Sequence, residues 1–460
     1  MGRRSLPGGP VSTESLMEAL APVVEALLHG RPHGERGLRL SSAVRMAGGA
    51  INQNFLIELV DSDGQTQQWV LRRAQARPVP GTHSRELEFR LFEFAHAAGL
   101  QVPEPIGLVE ADGVTVSAFR RVHGEADPRA VAGWMKALLA QSEARALEAG
   151  TAFAQSCGEQ LGRLHRASLG EHRQVIQMLL GAPLLSSVDA AMQGLRASLG
   201  LLQSPASYLR YAVEQLLDDA PRRSDQLPAV LCHNDFRLGN LMLTLHAQGQ
   251  SPPIELVGVL DWEFAHWSDP MADLGWLTAP CWRFGGADAV GGIGPIEALV
   301  QGYAREYPEA SLSLDELPYW QRFAQIRWAL IAAQQGERAL PGEPETLELR
   351  ITGAMAASLA QPVVEHYLGH RVSPQPLPAL QPQWGGARDL LQAAAQHLRG
   401  QMPDGLSSSA RYASLMASNA IRLAYNHLLV QSVQHDNPEG NPVELDLAQD
   451  LAIWGFRGFP

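Results

Sequence analysis

The chain has 460 residues, more than a single hydrophobic core usually supports, so two or three domains are expected. Its 45% hydrophobic content suits a chain that buries a large core, which excludes dominant disorder. A net charge of −12 without any Lys/Arg-dense block excludes the footprint of a nucleic-acid binder, and three scattered cysteines exclude a disulfide framework.

The first residues, MGRRSLPGGP, carry paired arginines, but Glu18 and Glu25 interrupt the following LMEALAPVVEALL, so a signal peptide is not expected. No apolar run reaches the roughly eighteen residues a membrane span needs. A cytoplasmic protein without a membrane or nucleic-acid partner is the expectation. Leu16, Leu20, Val23 and Leu27 fall at helical spacing, with Pro22 a point of kinking or restart. Residues 1–40 are assigned to this N-terminal helical segment.

NFLIELV (54–60) and QQWVLRR (67–73) flank the turn signal Asp63-Gly64 and predict a β-hairpin. From Ser84, the spacing of Leu87, Leu91, Phe94 and Ala98 predicts a helix capped by Gly99, and 114–119 predicts another strand. Residues 41–123 thus form a small β-rich lobe carrying one helix. Helical patterning dominates 124–372: Phe153, Cys157, Leu161 and Leu164 share one face, as do Phe323, Ile326 and Leu330. A second hairpin interrupts it, NLMLTL (240–245) against IELVGVL (254–260). SPQPLPALQP places four prolines between 374 and 382, so 373–383 is expected to be a linker. Leu391, Ala394, Ala395 and Leu398, then Tyr412, Leu415, Met416, Ala420 and Leu423, predict a helical domain over 384–460. The overall expectation is an α+β fold with two lobes and a small all-α C-terminal domain.

The chemistry gathers around HNDFRLGNL (233–241) and GVLDWEF (258–264). Asn240 begins one strand of the second hairpin and Asp261 follows the other, so antiparallel pairing delivers both to one end. Asp235 precedes them on the same loop. Asp and Asn oxygens suit magnesium, which retains water and phosphate as its other ligands. Phosphoryl transfer needs cations on the phosphates and a carboxylate to take the proton of the attacking hydroxyl. Asp235 is therefore expected to be the base, with Asn240 and Asp261 holding metal. His233 is read as an orienting residue, and Asp269 and Asp273 as loop and helix-cap residues.

These motifs resemble the aminoglycoside phosphotransferase and choline kinase family, which has a protein-kinase-like fold. HNDFRLGN looks like its H-x-D-x-x-x-x-N catalytic loop and GVLDWE like its metal-binding aspartate motif. LDWEFAHWSDPMADLGWL, CWRFGG and GGAINQNF resemble a bacterial branch described only as phosphotransferase family proteins. The resemblance spans roughly 15–370. It implies Gly48 and Gly49 over the nucleotide phosphates, Arg72 at the position of the phosphate-binding lysine, and Glu86 as its helix partner. It also implies a hinge near Val122, in FRRVHG, that meets the base. Arginine in place of lysine departs from the kinase pattern.

The resemblance implies an ATP- (or GTP-) and Mg2+-dependent kinase acting on a small-molecule hydroxyl. Acceptor classes left open are hydroxyacyl compounds, amino alcohols or sugars, and aminoglycosides. A catalytically silent nucleotide sensor and a metallophosphoesterase using His233 are the competing readings, and a homodimer is left open.

Overall fold

The computed structural model describes residues 13–29, 37–46, 52–74, 78–111, 113–183, 185–222, 227–246, 250–310, 312–340, 346–374, 394, 398, 408–431 and 441–454. The expected glycine pair Gly48 and Gly49, most of the proline-rich linker, the helix around Leu391 apart from Ala394 and Leu398, and the last six residues lie outside these. The chain divides into two compact units, Met1–Ala190 with Asp225–Asp315, and Ala191–Ser224 with Glu316–Pro460.

The first unit begins with helix α1 (Thr13–His29), which continues through Pro22. An antiparallel sheet follows, ordered β1 (Arg39–Arg45), β2 (Asn52–Val60), β3 (Thr66–Ala74), β5 (Val114–Arg120), β4 (Pro105–Ala111). The predicted hairpin is present, with Val60 opposite Thr66. Its turn is held by Asp61 Oδ1, which accepts the N–H of Asp63 and Gln65, and Gly64 takes a positive φ of 79°. Two-residue alternation sorts the sheet. Phe55, Ile57, Leu59, Trp69, Leu71, Val116 and Ala118 join Leu16, Leu20, Val23 and Leu27 of α1 in one apolar core.

The opposite face receives α2 (Arg85–Ala97). Ser84 caps it by accepting the N–H of Leu87, and Gly99 follows it in the left-handed region at φ 76°. Phe89 and Phe92 meet Phe119 at ring distances of 5.6 and 4.6 Å. Because Arg72 stands one residue from Leu71, its side chain leaves the α1 core and turns toward α2.

The rest of this unit holds α3 (Pro128–Gln141), α4 (Glu143–Leu169), α5 (Arg173–Leu180), the paired strands β6 (Val230–Cys232) and β9 (His266–Ser268), and the hairpin β7 (Leu241–Leu245) with β8 (Ile254–Val259). Helix α8 (Pro270–Thr278) starts at Asp269, whose side chain accepts the N–H of Met271, as its capping assignment anticipates. Helix α4 presents the predicted face of Phe153, Cys157, Leu161 and Leu164, all buried. It packs on α9 (Ile296–Glu306) so closely that a Cβ on Gly158 would lie 2.0 Å from the carbonyl oxygen of Leu299.

The second unit takes in most of α6 (Ser187–Gly200), and α7 (Ser207–Asp218), α10 (Leu317–Arg338), α11 (Thr346–Ala354) and α12 (Ala356–Leu368). With them lie α13 (Ser408–Gln431) and α14 (Pro442–Trp454). Phe323, Ile326 and Leu330 are buried on α10 as their spacing predicts. Ile351, Leu423 and Trp454 form a further core, and Tyr208 donates to Asp450 at 2.8 Å. Among the described residues no helix is long and apolar enough to cross a membrane.

Candidate active site

The second hairpin delivers what its spacing predicts. Leu241 pairs with Val259, and the N–H of Leu260 donates to the carbonyl of Asn240 at 2.8 Å. Asn240 and Asp261 therefore flank one end of the ribbon. Asn240 is buried, and its Nδ2 donates to both the carbonyl oxygen (3.0 Å) and Oδ2 (2.6 Å) of Asp235. The expected base and the first expected metal ligand are thus locked together, with the oxygen of the Asn240 amide turned away from that contact.

Asp261 adopts φ 58°, a left-handed conformation that Asp and Asn tolerate better than bulkier residues. Its neighbour Trp262 is fully buried, 4.8 Å from the His233 ring and 6.1 Å from Phe92. Anchoring the tryptophan inward leaves the adjacent aspartate facing out, with its side chain 40% exposed. His233 holds the other side of this turn, its Nε2 lying 2.9 Å from the carbonyl oxygen of Leu260. Burial keeps its imidazole below the ordinary pKa despite Asp273 and Asp235 nearby, so the ring is neutral and serves as a backbone tether.

Arg72 reaches this centre from β3. Its Nη2 pairs with Asp261, and its Nη1 donates to Glu88 Oε1 at 3.1 Å. The helix glutamate is therefore Glu88 and not Glu86. On a helix, positions two apart point about 200° apart, so when Glu88 turns inward Glu86 is left exposed. Arg85, one helical turn before Glu88, also pairs with it, giving a buried Arg72–Glu88–Arg85 cluster. Burial opposes the charge of Arg72, but Glu88, Asp261 and Glu263 more than restore it and raise its pKa. Asp261 is pushed up by lost hydration and pulled further down by Arg72, so it stays below the usual carboxylate range. Glu263 goes the other way. Burial, Asp261 and Glu88 push it up to about 8, against the pull of Arg72 and Arg85.

Asp273, expected to cap a helix, instead holds the loop that carries Asp235. Its Oδ2 accepts the main-chain N–H of His233 at 2.8 Å and its Oδ1 that of Asn234 at 2.7 Å. Asn234 itself sits at φ 59°. His165 Nε2 lies 3.2 Å from the same carboxylate, and His165 Nδ1 lies 2.8 Å from the Tyr303 hydroxyl. Burial raises the Asp273 pKa, but the hydrogen bond and charge of His165, with His233 and the Asn234 N–H, outweigh it and lower the value. His165, Cys232 and Asp273 could hold a cation by spacing alone, but the histidine and carboxylate donors are already spent on one another and on the loop.

A family model described as the phosphotransferase enzyme family matches residues 42–312, more than half of the chain. The chain belongs to that family. No curated protein matches it. Among solved structures it is similar to a Ralstonia eutropha protein assigned as an aminoglycoside phosphotransferase, at 18% identity and a TM-score of 0.51, covering 76% of this chain and 98% of that one. It is also similar to a Plasmodium vivax ethanolamine kinase (14%, TM-score 0.47, 75% and 86%) and a Streptococcus pneumoniae choline kinase (14%, 0.41, 76% and 98%). The first of these likenesses carries the fold, a kinase-like α+β arrangement of two lobes.

Within this phosphotransferase, two further side chains reach Asp235, the expected base, and a third supports one of them. Arg237 Nε donates to Asp235 Oδ1 at 2.9 Å, and Trp276 Nε1 donates to the same oxygen at 3.1 Å. The Arg237 guanidinium lies 4.7 Å from the centre of the Trp282 ring. No spacing rule reveals these tryptophans, because they come from α8 and the turn after it, far along the chain from HNDFRLGN. Val122, the expected hinge residue, follows β5 and lies with Met242 beside Gly258 of the hairpin.

The donor set fits a hard divalent cation. Asn240 commits its nitrogen to Asp235, leaving an amide oxygen, and Asp261 commits one carboxylate oxygen to Arg72, leaving the other. Oxygen-only ligands of this kind suit magnesium.

Proposed function

We propose that this phosphotransferase is a kinase that moves the γ-phosphoryl group of ATP to a hydroxyl of a small molecule, with Asp235 as base. The observation that supports the reading most is the pair of environments around the Asp235 carboxylate. Oδ1 already accepts from Arg237 and Trp276, whereas Oδ2 accepts from Asn240. A carboxylate oxygen takes two hydrogen bonds readily, so Oδ2 is the atom left to take a proton.

In this reading the acceptor hydroxyl gives its proton to Asp235 Oδ2 as its oxygen bonds to the γ-phosphorus. The bond from that phosphorus to the β–γ bridging oxygen breaks, and ADP leaves. Asn240 and Asp261 would hold magnesium, whose charge offsets that of the phosphates. Arg72 presents a planar fork on the same side, where its guanidinium would meet the phosphates. The folding of three donors around Asp235 fixes its orientation before substrate arrives, which removes an entropic part of the barrier.

The test is Asp235→Asn. A pool of metabolites incubated with Mg-ATP should give products heavier by one phosphoryl group with the native enzyme and none with the variant. Stabilisation of the variant by Mg-ATP in a melting assay should persist, because Asp235 touches the acceptor and not the nucleotide. A variant that turns over at the native rate would refute the assignment of the base.

A further inference from the structure

The same carboxylate also says something about the acceptor. We infer that the hydroxyl substrate carries an oxyanion, a carboxylate or phosphate, and that Arg237 is the residue that selects it, seated on Trp282. This deepens the kinase reading above and rests on it.

Arg237 is held at two points. Its Nε is committed to Asp235 Oδ1, and its guanidinium carbon lies 4.7 Å from the centre of the Trp282 ring. Among the described residues, its terminal nitrogens Nη1 and Nη2 have no hydrogen-bond or ion-pair partner. The side chain is 27% exposed. Nη1 lies beside Gly239, 2.5 Å from where a Cβ there would stand, so the fork is fixed in orientation while its terminal N–H groups still lack an acceptor among the described residues. Such a fork matches two oxygens of one anion without the rotamer entropy a loose lysine would lose. The cation–π contact supplies no hydrogen-bond acceptor, so it leaves the terminal nitrogens in want of one.

The wall beneath the fork is rigid and aromatic. Trp276 and Trp282 lie 5.4 Å apart, and Phe284 lies 6.4 Å from Trp282. The turn carrying Trp282 and Phe284 is braced by Arg283, whose Nε and Nη2 donate to the carbonyl of Thr278 at 3.3 and 3.0 Å. Beyond it, a Cβ on Gly286 would meet the carbonyl of Gly292 at 2.0 Å, so the two passes of chain are in backbone contact. A site built on packed backbone keeps its donors in place.

The anion could come from the acceptor or from the γ-phosphoryl group of the donor. The direction of the contacts favours the acceptor. Oδ2 of Asp235 faces Asn240, on the side of the expected metal, whereas Trp276 and Arg237, the latter beside Trp282, meet Oδ1. An acceptor whose hydroxyl lies at Oδ2 then extends across the Oδ1 side, over the aromatic wall and under the open edge of Arg237. A cationic acceptor such as an amino alcohol would place its charge against a guanidinium in the same space, which disfavours it.

The experiment separates a metabolite pool on ion-exchange resins into anionic, neutral and cationic fractions before reaction. Each fraction is incubated with the full-length protein, magnesium and ATP labelled in the γ-phosphoryl group. Label should enter products of the anionic fraction at least tenfold more than those of the others. The labelled compound, identified by mass, then serves for kinetics. Arg237→Gln should raise its KM by about tenfold or more, with Arg237→Lys recovering part of the loss and Trp282→Leu falling between. Label entering the neutral or cationic fraction instead overturns the inference while leaving the kinase reading standing. So does a KM increase confined to ATP, which assigns the fork to the γ-phosphoryl group. Absence of label in every fraction removes the kinase reading, and the inference with it.

Discussion

Asp273 Oδ2 accepts the main-chain N–H of His233 at 2.8 Å, and the remaining oxygen of the same carboxylate accepts that of Asn234. One buried side chain thus sets the path of the chain in the two residues before Asp235, the proposed base. Asp273→Asn would turn one acceptor into a donor facing a main-chain N–H in a site closed to water. Breaking such a buried charged contact costs about 3–5 kcal/mol. The melting temperature should fall by roughly 5–10 °C, and turnover should fall further than stability accounts for, because Asp235 loses its support. A variant with native stability and native rate would show that the loop is held by other contacts.

The hairpin and its consequences were legible in the sequence because antiparallel pairing is a local rule. Once NLMLTL and IELVGVL are strands, Asn240 and Asp261 must share an end. The face of α4 was legible for the same reason, with Phe153, Cys157, Leu161 and Leu164 repeating at the helical period. What could not be read were contacts made by the meeting of distant elements. Asp273, Trp276 and Trp282 belong to the same site as Asp235 only because α8 packs beneath the loop, and nothing in their own spacing marks that. The exchange of Glu86 for Glu88 has a simpler origin. Both lie in the first turn of α2, and which one points at β3 depends on how the helix is rotated about its axis, which Phe89 and Phe92 decide by packing on Phe119.

That rotation is directly testable. Glu88 is 2% exposed and bound by Arg72 and Arg85, so Glu88→Gln leaves two buried guanidiniums sharing a neutral amide. The expected cost is about 3 kcal/mol, together with weaker stabilisation by Mg-ATP as Arg72 loses its anchor. Glu86→Gln should change stability by no more than about 0.5 kcal/mol. Urea unfolding of the two variants and nucleotide-dependent melting curves give both readings. Equal behaviour of the two would remove the assignment of Glu88.

Cys281 immediately precedes Trp282 of the aromatic wall. Burial pushes its thiol up to about 12, even though Arg237 and Arg283 pull it down. Because the thiolate is the reacting species, only ~10⁻⁴ of it is reactive at pH 8 in the folded state, against about a quarter for an unperturbed cysteine. Cys157 is buried with its pKa raised, and Cys232 is buried. A thiol reagent at pH 8 should therefore find no rapidly reacting cysteine in the native protein and three after unfolding. The native rate should keep climbing through pH 9 and 10 without a plateau. A plateau near pH 8.5, or one fast native thiol, would place Cys281 in a wetter environment than the fold gives it.

The close approach of α4 and α9 predicts opposite outcomes for one chemical change at two positions. At Gly158 an added Cβ would lie 2.0 Å from the carbonyl oxygen of Leu299 and 2.7 Å from the nitrogen of Tyr303, both main-chain atoms that cannot rotate aside. Gly158→Ala forces the helices apart and should cost 1–3 kcal/mol or more, typical of about one overpacked methyl in a tight core. At Gly133, on α3, an added Cβ meets nothing within 4 Å, and the residue lies inside a helix. Gly133→Ala should stabilise by roughly 0.5–1 kcal/mol, because alanine restricts the unfolded chain and loses less freedom on folding. The Gly158 change should also lower activity, since α4 carries His165, whose ring bridges Tyr303 of α9 to Asp273, the support of the loop that carries Asp235. Denaturant midpoints of the two variants measured side by side decide the matter, and a shift of the same sign in both would mean that helix packing here is looser than main-chain contact.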